Sequence, residues 1–180
     1  MQYKKSAEVV VSSPSLKQTG AGKGPNHENN NLHPEYIVGF VDGEGCFCIS
    51  ISKHQTLKRR QEVRAEFEIE LRADDEEILN QIKNAFGCGN IYRLNYARYK
   101  WHPHVKYKVS NINDLSEKII PFFNRYKLRA KKRLVYELFC EAVMLIKSKQ
   151  HLTDVGFKKI VSLRNKIRKL NNIRGTARVR

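Results

Sequence analysis

The chain has 180 residues, of which 41% are hydrophobic, enough for one compact domain with an appendage. Its 34 lysines and arginines outnumber 18 acidic residues, so its formal net charge is +16. This excess makes nucleic acid the expected partner. No apolar run approaches the roughly 18 residues of a membrane span, so a membrane is not expected as a partner. A small-molecule substrate is not expected either.

The chain divides by composition into three parts. Residues 1–32 are polar and end in GAGKGPNHENNN, which indicates an N-terminal extension or linker. Residues 33–171 carry the periodic patterns of a folded domain, and 172–180 form a basic tail. The four cysteines are too few and too scattered for a disulfide framework, so free thiols in a reducing, intracellular compartment are expected. Cys46, Cys48, His102 and His104 lack the spacing of a zinc finger, and zinc is not expected.

The first predicted helix begins at Pro34 and ends near Asp42 or Gly43. It contains glycines at positions 39 and 43, each of which costs a helix about 1 kcal/mol relative to alanine. The acidic Glu44 then follows at the electronegative end of the helix, where a carboxylate is unfavourable. These features indicate a functional reason for the glycines and the acid.

From Cys46 the hydrophobic period changes to two. Phe47, Ile49 and Ile51 share one predicted face, and the alternation resumes from Val63 to Leu71 after the basic loop KHQTLKRRQ. The opposite face of both segments is polar. This pattern predicts a long antiparallel hairpin that buries one side only.

The remaining elements complete an α+β domain with the order α-β-β-α-β-β-α-α. A helix over 74–87 is followed by an aromatic, basic hairpin over 90–112 and a short helix over 113–123, interrupted by Pro121. Two further helices are predicted, over 129–148 and from Asp154 to about Leu170. Their predicted inward residues are Leu134, Leu138, Ala142 and Leu145, then Phe157, Ile160, Val161 and Ile167.

The stretch IVGFVDGEG, Ile37–Gly45, resembles the nine-residue motif of LAGLIDADG homing endonucleases. The order α-β-β-α-β-β-α resembles their domain, and the resemblance extends from about Glu35 to Asn171. It implies the LAGLIDADG homing endonuclease fold, in which the antiparallel sheet forms a DNA-binding saddle. The expected partner is therefore double-stranded DNA.

The resemblance also implies how the first helix is used. Gly39 and Gly43 lie four residues apart on one helical face, where small residues let two helices approach closely. One copy of the motif is present, and single-motif members of the family are homodimers. Gly39, Gly43, Phe40 and Tyr36 are accordingly the predicted dimer interface.

The resemblance makes Glu44 the metal-binding catalytic acid, helped by a backbone carbonyl near Gly43, with Mg²⁺ as the cofactor. A basic residue at the start of the long helix would stabilise charge on the phosphate. Lys131 is the best match, with Lys132 close behind, and an exposed lysine in a basic helix is the competing interpretation. Leu71 departs from the family, which often has a polar or basic residue there to order water. That role would pass to Glu70 or Arg72, or be absent.

A two-stranded ribbon fits the major groove, so the polar face of the hairpins is the predicted reading surface. Strands of about eight residues span roughly eight base pairs, and two subunits would read a near-palindrome of roughly 16 base pairs or more. Glutamates on this face indicate sequence readout rather than general attraction to phosphate. The predicted DNA contacts are Ser50, Ser52, His54, Arg59, Arg60, Gln61, Arg64, Glu66, Glu68, Glu70, Arg72, Tyr92, Arg93, Lys106 and Lys108.

The sequence thus favours a site-specific, Mg²⁺-dependent DNA endonuclease that makes double-strand breaks and promotes intron mobility, in a chloroplast or mitochondrion as the family implies. A second class is an intron RNA-binding maturase or a DNA-binding regulator with the same fold and no cleavage. A basic ribosome-associated protein is a third, but it would not need Gly39, Gly43 and Glu44 together.

Overall fold

A computed structural model of the chain describes residues 32–57, 59–96 and 102–176, with side chains described up to 171. All but the last residue of the predicted N-terminal extension lies outside these residues. None of the helices described is both long and apolar enough to cross a membrane.

Four antiparallel strands form a single sheet in the order β1-β2-β4-β3. The strands are β1 (Gly45–Lys53), β2 (Gln61–Arg72), β3 (Asn90–Leu94) and β4 (His104–Val109). Phe47 lies opposite Phe67, and Cys48 lies opposite Glu66, so the apolar and polar faces of β1 and β2 coincide. Both predicted hairpins are present, and over Phe47–Ile51 and Val63–Leu71 the period of two separates apolar from polar side chains as expected.

The helices are α1 (Pro34–Glu44), α2 (Glu76–Phe86), α3 (Ile112–Asp114), α4 (Ile120–Arg125), α5 (Lys132–Lys147) and α6 (Asp154–Thr176). Short 3₁₀ turns precede α2 and α6, at Ala73–Asp75 and Gln150–Leu152. The helices cover the apolar face of the sheet, where Phe47 stacks on Phe67 at a centroid distance of 4.9 Å and packs against Phe123 and Phe139. The other face of the sheet remains open, which confirms the predicted α+β architecture.

Pro121 does not interrupt the helical segment after β4. It lies in the first turn of α4, where a missing backbone N–H is tolerated, and a π-helical turn over Leu115–Ile119 joins α3 to α4. The segment 112–125 is therefore one continuous, slightly irregular helical stretch rather than a broken helix.

The predicted inward face of α5 was wrong at one position. Leu134 is 44% exposed, because the buried face of α5 follows Val135, Tyr136 and Phe139. In α6, Ile160 and Ile167 are buried as predicted, but Phe157 is only half-buried. The helix also continues to Thr176, beyond its predicted end, since no proline or glycine between Gly156 and Gly175 stops it.

Candidate functional site

The carboxyl end of α1 combines an acidic and a basic side chain. Glu44 is the last residue of α1 and is exposed. The buried Lys132 reaches the same end from α5, and its Nζ donates to the carbonyls of Val41 at 2.7 Å and Gly43 at 3.1 Å. Lys132 thus supplies the positive charge that a helix carboxyl end favours and that α1 lacks in its own last turn.

The structure places Lys132, not the predicted Lys131, against α1. Lys131 is exposed and immediately precedes α5, whereas Lys132 is 5% exposed. Adjacent helical residues point about 100° apart, so only one of them can face the site. A signal was present in the sequence, because Lys132 falls in phase with Val135, Tyr136 and Phe139 of the buried stripe. The prediction missed this signal because it placed Leu134, rather than Val135, on the buried face of α5.

Asp42 has a positioning contact that the sequence did not indicate. Its Oδ2 accepts hydrogen bonds from the backbone N–H groups of Arg129 at 2.8 Å and Ala130 at 3.1 Å. These residues precede α5, so Asp42 ties the start of that helix to α1. Lys132 lies only two residues beyond Ala130, so this contact also fixes the position of the lysine relative to Glu44.

The glycine face of α1 is open in this chain. A Cβ atom built on Gly39 or Gly43 would meet no neighbouring atom within 4 Å, whereas one on Gly45 would lie 2.6 Å from the Val41 side chain. Tyr36 is 49% exposed and stacks on Phe40 along the same face. The packing of the chain itself therefore does not require glycine at 39 and 43.

The open face of the sheet carries a ladder of ion pairs between β2 and β4. Lys106 Nζ lies 3.3 Å from Glu68 Oε2 and 3.0 Å from Glu70 Oε2. Lys108 Nζ lies 2.5 Å from Glu66 Oε1 and 3.5 Å from Glu68 Oε1. We call these five residues the acid–lysine ladder. All three predicted acidic DNA contacts therefore already have cationic partners within the chain.

The Glu70 end of the ladder, where β4 begins, includes further polar groups. Glu70 Oε1 accepts from Tyr96 Oη at 3.0 Å and lies 3.1 Å from His104 Nδ1. Burial raises the pKa of Glu70, but hydrogen bonds from Lys106 and Tyr96 outweigh it and hold the pKa below its usual value. Burial likewise opposes the charged form of Lys106, and its glutamate partners nevertheless raise its pKa. The charged forms therefore persist at neutral pH. Leu71, one residue along, faces the helices opposite Val105.

Most other predicted contacts lie on the open face of the sheet or beside it. Those on the face by strand register are Ser50, Ser52, Arg64, Arg72 and Tyr92. His54 follows β1 directly, and Arg60 lies in the loop between β1 and β2.

Three predicted DNA contacts do not belong to this face. Arg93 lies opposite Val105 and binds Glu76 of α2 through two hydrogen bonds of 2.9 Å, on the helix side. Gln61 has the register of the inward-facing residues of β2 and lines a cavity against α6. Arg59 binds the start of α6. The sequence did not indicate these positions. Aromatic and basic residues obscured the register of β3, which holds Arg93, and the loop that holds Arg59 has no period.

The family model described as LAGLIDADG endonuclease matches residues 37–143 of the chain. The chain is 39% identical, over 71% of its length, to a protein encoded in ND4 intron 1 of Podospora anserina. It is 36% identical, over 73% of its length, to "Probable intron-encoded endonuclease 2" of Neurospora crassa. The chain spans about a quarter of the length of these two relatives, 27% and 26%.

Solved structures share the fold. I-SmaMI bound to its uncleaved DNA target in the presence of calcium ions matches with a TM-score of 0.72 and 33% identity, covering 77% of this chain and 46% of that one. The homing endonuclease I-TnaI matches with a TM-score of 0.67 and 27% identity, covering 79% of this chain and 97% of that one. The motif, the open sheet and these matches agree, and the chain belongs to the LAGLIDADG endonuclease family.

Proposed function

We propose that this chain is a site-specific DNA endonuclease that cuts both strands of a long target and promotes intron mobility. The observation that carries the proposal is the carboxyl end of α1, where the exposed Glu44 ends the helix and the buried Lys132 donates to carbonyls of its last turn, next to the start of the open sheet. The family match and the intron-encoded endonuclease of Neurospora crassa support the same activity. The DNA-bound structure of I-SmaMI supports double-stranded DNA as the partner.

The active site is proposed to need two such domains. In the part of the chain that the structure describes, no three His, Cys, Asp or Glu side chains come close enough to hold a metal ion. The open face of Tyr36, Gly39, Phe40 and Gly43 would let a second α1 lie alongside the first and bring a second Glu44 to the site. We assign that second helix to another copy of this chain. The match covers 97% of the I-TnaI chain, so one such domain makes up nearly all of a solved homing endonuclease chain, which supports this assignment.

The donor set fits a divalent cation. Glu44 offers carboxylate oxygens and Gly43 a backbone carbonyl, and such oxygen ligands suit Mg²⁺. The calcium ions in the I-SmaMI structure support the use of a divalent ion. A bound divalent ion would help to activate water and to stabilise the leaving oxygen.

The residues of the chain have separate roles in this proposal. Glu44 holds the cation, and Lys132 supplies positive charge where negative charge develops on the phosphate. Lys132 also fixes the Gly43 carbonyl by hydrogen bonding to it at 3.1 Å. Asp42 keeps the start of α5, and with it Lys132, in place. The sheet face positions the duplex and reads its bases.

We infer a mitochondrial location from the origin of one relative. The Podospora anserina protein is named for intron 1 of ND4, a gene of mitochondrial genomes, which supports this location. We therefore assign the protein to the mitochondrion rather than the chloroplast.

Cleavage selection tests the function even though the target sequence is unknown. The purified chain is incubated with Mg²⁺ and a plasmid library carrying randomised inserts, and linearised molecules are sequenced. We expect enrichment of one near-palindromic site, loss of cleavage in EDTA, and no enrichment by Glu44→Gln. Enrichment by binding alone, with no linear product from the parent, would instead support the regulator or maturase.

A further inference from the structure

Among the described residues of the loop between β1 and β2, Arg59 connects the loop to the far end of the helical layer. β1 begins beside Glu44 and runs for nine residues, so its loop lies roughly 30 Å from the candidate active site. Under the proposed function, this loop would reach the outermost base pairs of a half-site. Its position relative to the helices therefore affects what it can read.

Arg59 makes three different contacts with the segment that begins α6. Its Nη2 lies 2.6 Å from Asp154 Oδ1 and donates to the Leu152 carbonyl at 3.2 Å. Its guanidinium carbon lies 4.8 Å from the centroid of the Phe157 ring. A planar guanidinium can form the ion pair and the stacking contact at once, which lysine cannot. The Arg59 guanidinium also holds the pKa of Asp154 below its usual value.

Beside Arg59, the described residues of the loop leave a gap against α6. An open cavity of about 730 Å³ separates the two, with Leu57, Gln61, Val63 and Phe157 among its lining residues. Leu57 and Leu152 remain 40% and 63% exposed. Since apolar contact is incomplete there, the Arg59 contacts carry much of the connection. We call this connection the loop clamp.

Arg60 is arranged differently from its neighbour. It has a left-handed backbone, with φ of 52°, and its N–H donates to the Leu57 carbonyl at 2.7 Å. Its own carbonyl accepts from the N–H of His54 at 2.9 Å. These bonds close the loop on itself, while the Arg60 side chain is exposed. Arg60 is thus a matched control for Arg59, with the same charge at the next position.

We propose that Arg59 is a positioning residue that fixes the β1–β2 loop on α6, and that it determines recognition of the outer base pairs without touching DNA. Its part in recognition rests on the proposed function. The clamp itself is a property of the free protein and can be tested there.

The test combines a double-mutant cycle with two measurements. The variants are Arg59→Met, Asp154→Asn and the double substitution, with Arg60→Met as control. The start of α6 is capped by Thr153, whose Oγ1 accepts from the Gly156 N–H at 3.1 Å, so asparagine at position 154 leaves this cap in place. Thermal melting identifies any variant that does not fold.

Hydrogen exchange of the loop in the free protein is the first measurement. We expect both single variants to speed exchange by about two- to tenfold, the range for an exposed ion pair with an added ring contact. The double variant should be no faster than Arg59→Met, because that variant already removes all three contacts, whereas Asp154→Asn removes the ion pair alone. Arg60→Met should leave exchange unchanged. Parental exchange in both Arg59→Met and Asp154→Asn would overturn the clamp.

Selection by binding from a randomised duplex pool is the second measurement. Arg59→Met and Asp154→Asn should lose preference at the same outer positions and keep it near the centre. Faster exchange in both variants, with preference lost in Arg59→Met and parental in Asp154→Asn, would mean that Arg59 acts on DNA directly rather than through the clamp, which overturns the proposal. If the parent enriches no sequence, the proposed function fails, while hydrogen exchange still decides on the clamp.

Discussion

Glu44 and Lys132 carry opposite charges at one helix end, and their environments differ. Glu44 is exposed, while Lys132 is buried and hydrogen-bonded to two carbonyls of α1. A buried carbonyl that loses its donor costs roughly 1–3 kcal/mol, so Lys132 also stabilises the fold. The two residues therefore call for different tests.

Glu44→Gln keeps the size of the side chain and removes its charge. We expect the variant to bind the selected target as tightly as the parent, or more tightly, because a carboxylate no longer repels phosphate. It should fail to cut, and a mixed dimer with one altered subunit should nick rather than break the duplex. Binding is followed by fluorescence anisotropy and cleavage by plasmid linearisation. Parental cleavage rates in Glu44→Gln would remove Glu44 from the mechanism.

Lys132→Met and Lys131→Met form a matched pair on adjacent positions. Lys132→Met should abolish or strongly slow cleavage and lower the free energy of unfolding by roughly 1–3 kcal/mol, since two carbonyls lose their donor. Lys131→Met should change the free energy of unfolding by less than about 0.5 kcal/mol, as expected of an exposed residue. Urea denaturation and cleavage kinetics separate the two. A stronger cleavage defect in Lys131→Met would make Lys131 the lysine that acts on the phosphate.

At the scale of the sheet, the acid–lysine ladder makes the open face less positive than its lysines imply. Each of Lys106 and Lys108 is within 4 Å of two glutamates. Phosphates must compete with these carboxylates, which disfavours DNA that offers no partner for the glutamates. The ladder would then favour specificity over affinity.

Glu68→Gln tests this competition, because Glu68 lies between both lysines. We expect tighter binding to a random-sequence duplex and a salt dependence steeper by up to about 0.9 per lysine released to phosphate. Glu77→Gln is the control, since it removes the same charge from α2 on the helix side of the sheet, where Glu77 accepts from Gln81 rather than from a predicted DNA contact. Anisotropy titrations at several salt concentrations give the slopes. Equal slopes for Glu68→Gln and the parent would mean that the ladder does not restrain its lysines.

The ladder also predicts a pH dependence. Because the pKa of Glu70 is lowered in the folded state, its pairing contributes full stability above the unfolded value of about 4.3. That contribution is lost as the pH falls through the lower, folded pKa. Glu70→Gln should therefore lose less stability than the parent between about pH 5 and pH 3. Urea midpoints across this range measure it, and parallel curves would exclude Glu70 from the acid response.

At the scale of the whole molecule, the open glycine face is the feature that the domain does not satisfy by itself. A Cβ fits at Gly39 and Gly43 without a clash, so a larger side chain there should be tolerated by the isolated fold. The same side chain would separate two helices packed on that face. Folding and assembly can therefore be altered independently.

Gly39→Leu is the corresponding test. We expect an unchanged or slightly higher melting temperature, because leucine favours a helix by up to about 1 kcal/mol over glycine. We expect loss of the dimer and of cleavage. Light scattering of the free and DNA-bound protein measures assembly, and Gly87, outside this face, offers a control substitution to asparagine. A monomeric parent on DNA would exclude the homodimer.

Short sequence patterns predict part of the structure of this protein. The alternation in β1 and β2 sets which residues face the helices, because a strand has a period of two whatever it packs against. Glycines inside a helix and an acid at its end are locally unfavourable, so the motif around Gly39 and Glu44 indicates a functional site at the carboxyl end of α1. Both patterns can be recognised from residues that are neighbours in the sequence.

Other features depend on contacts between distant segments. Lys132 meets Val41 across 91 positions, and Arg59 meets Asp154 across 95, so no local period could reveal either partner. The acid–lysine ladder likewise arises from the pairing of β2 with β4. This pairing places glutamates beside lysines that the sequence pattern predicted as separate DNA contacts. The sequence by itself determined which faces are polar and where α1 ends. Only the tertiary structure decided which charged side chains are already paired, because charge pairing is set by position in space rather than by order in the chain.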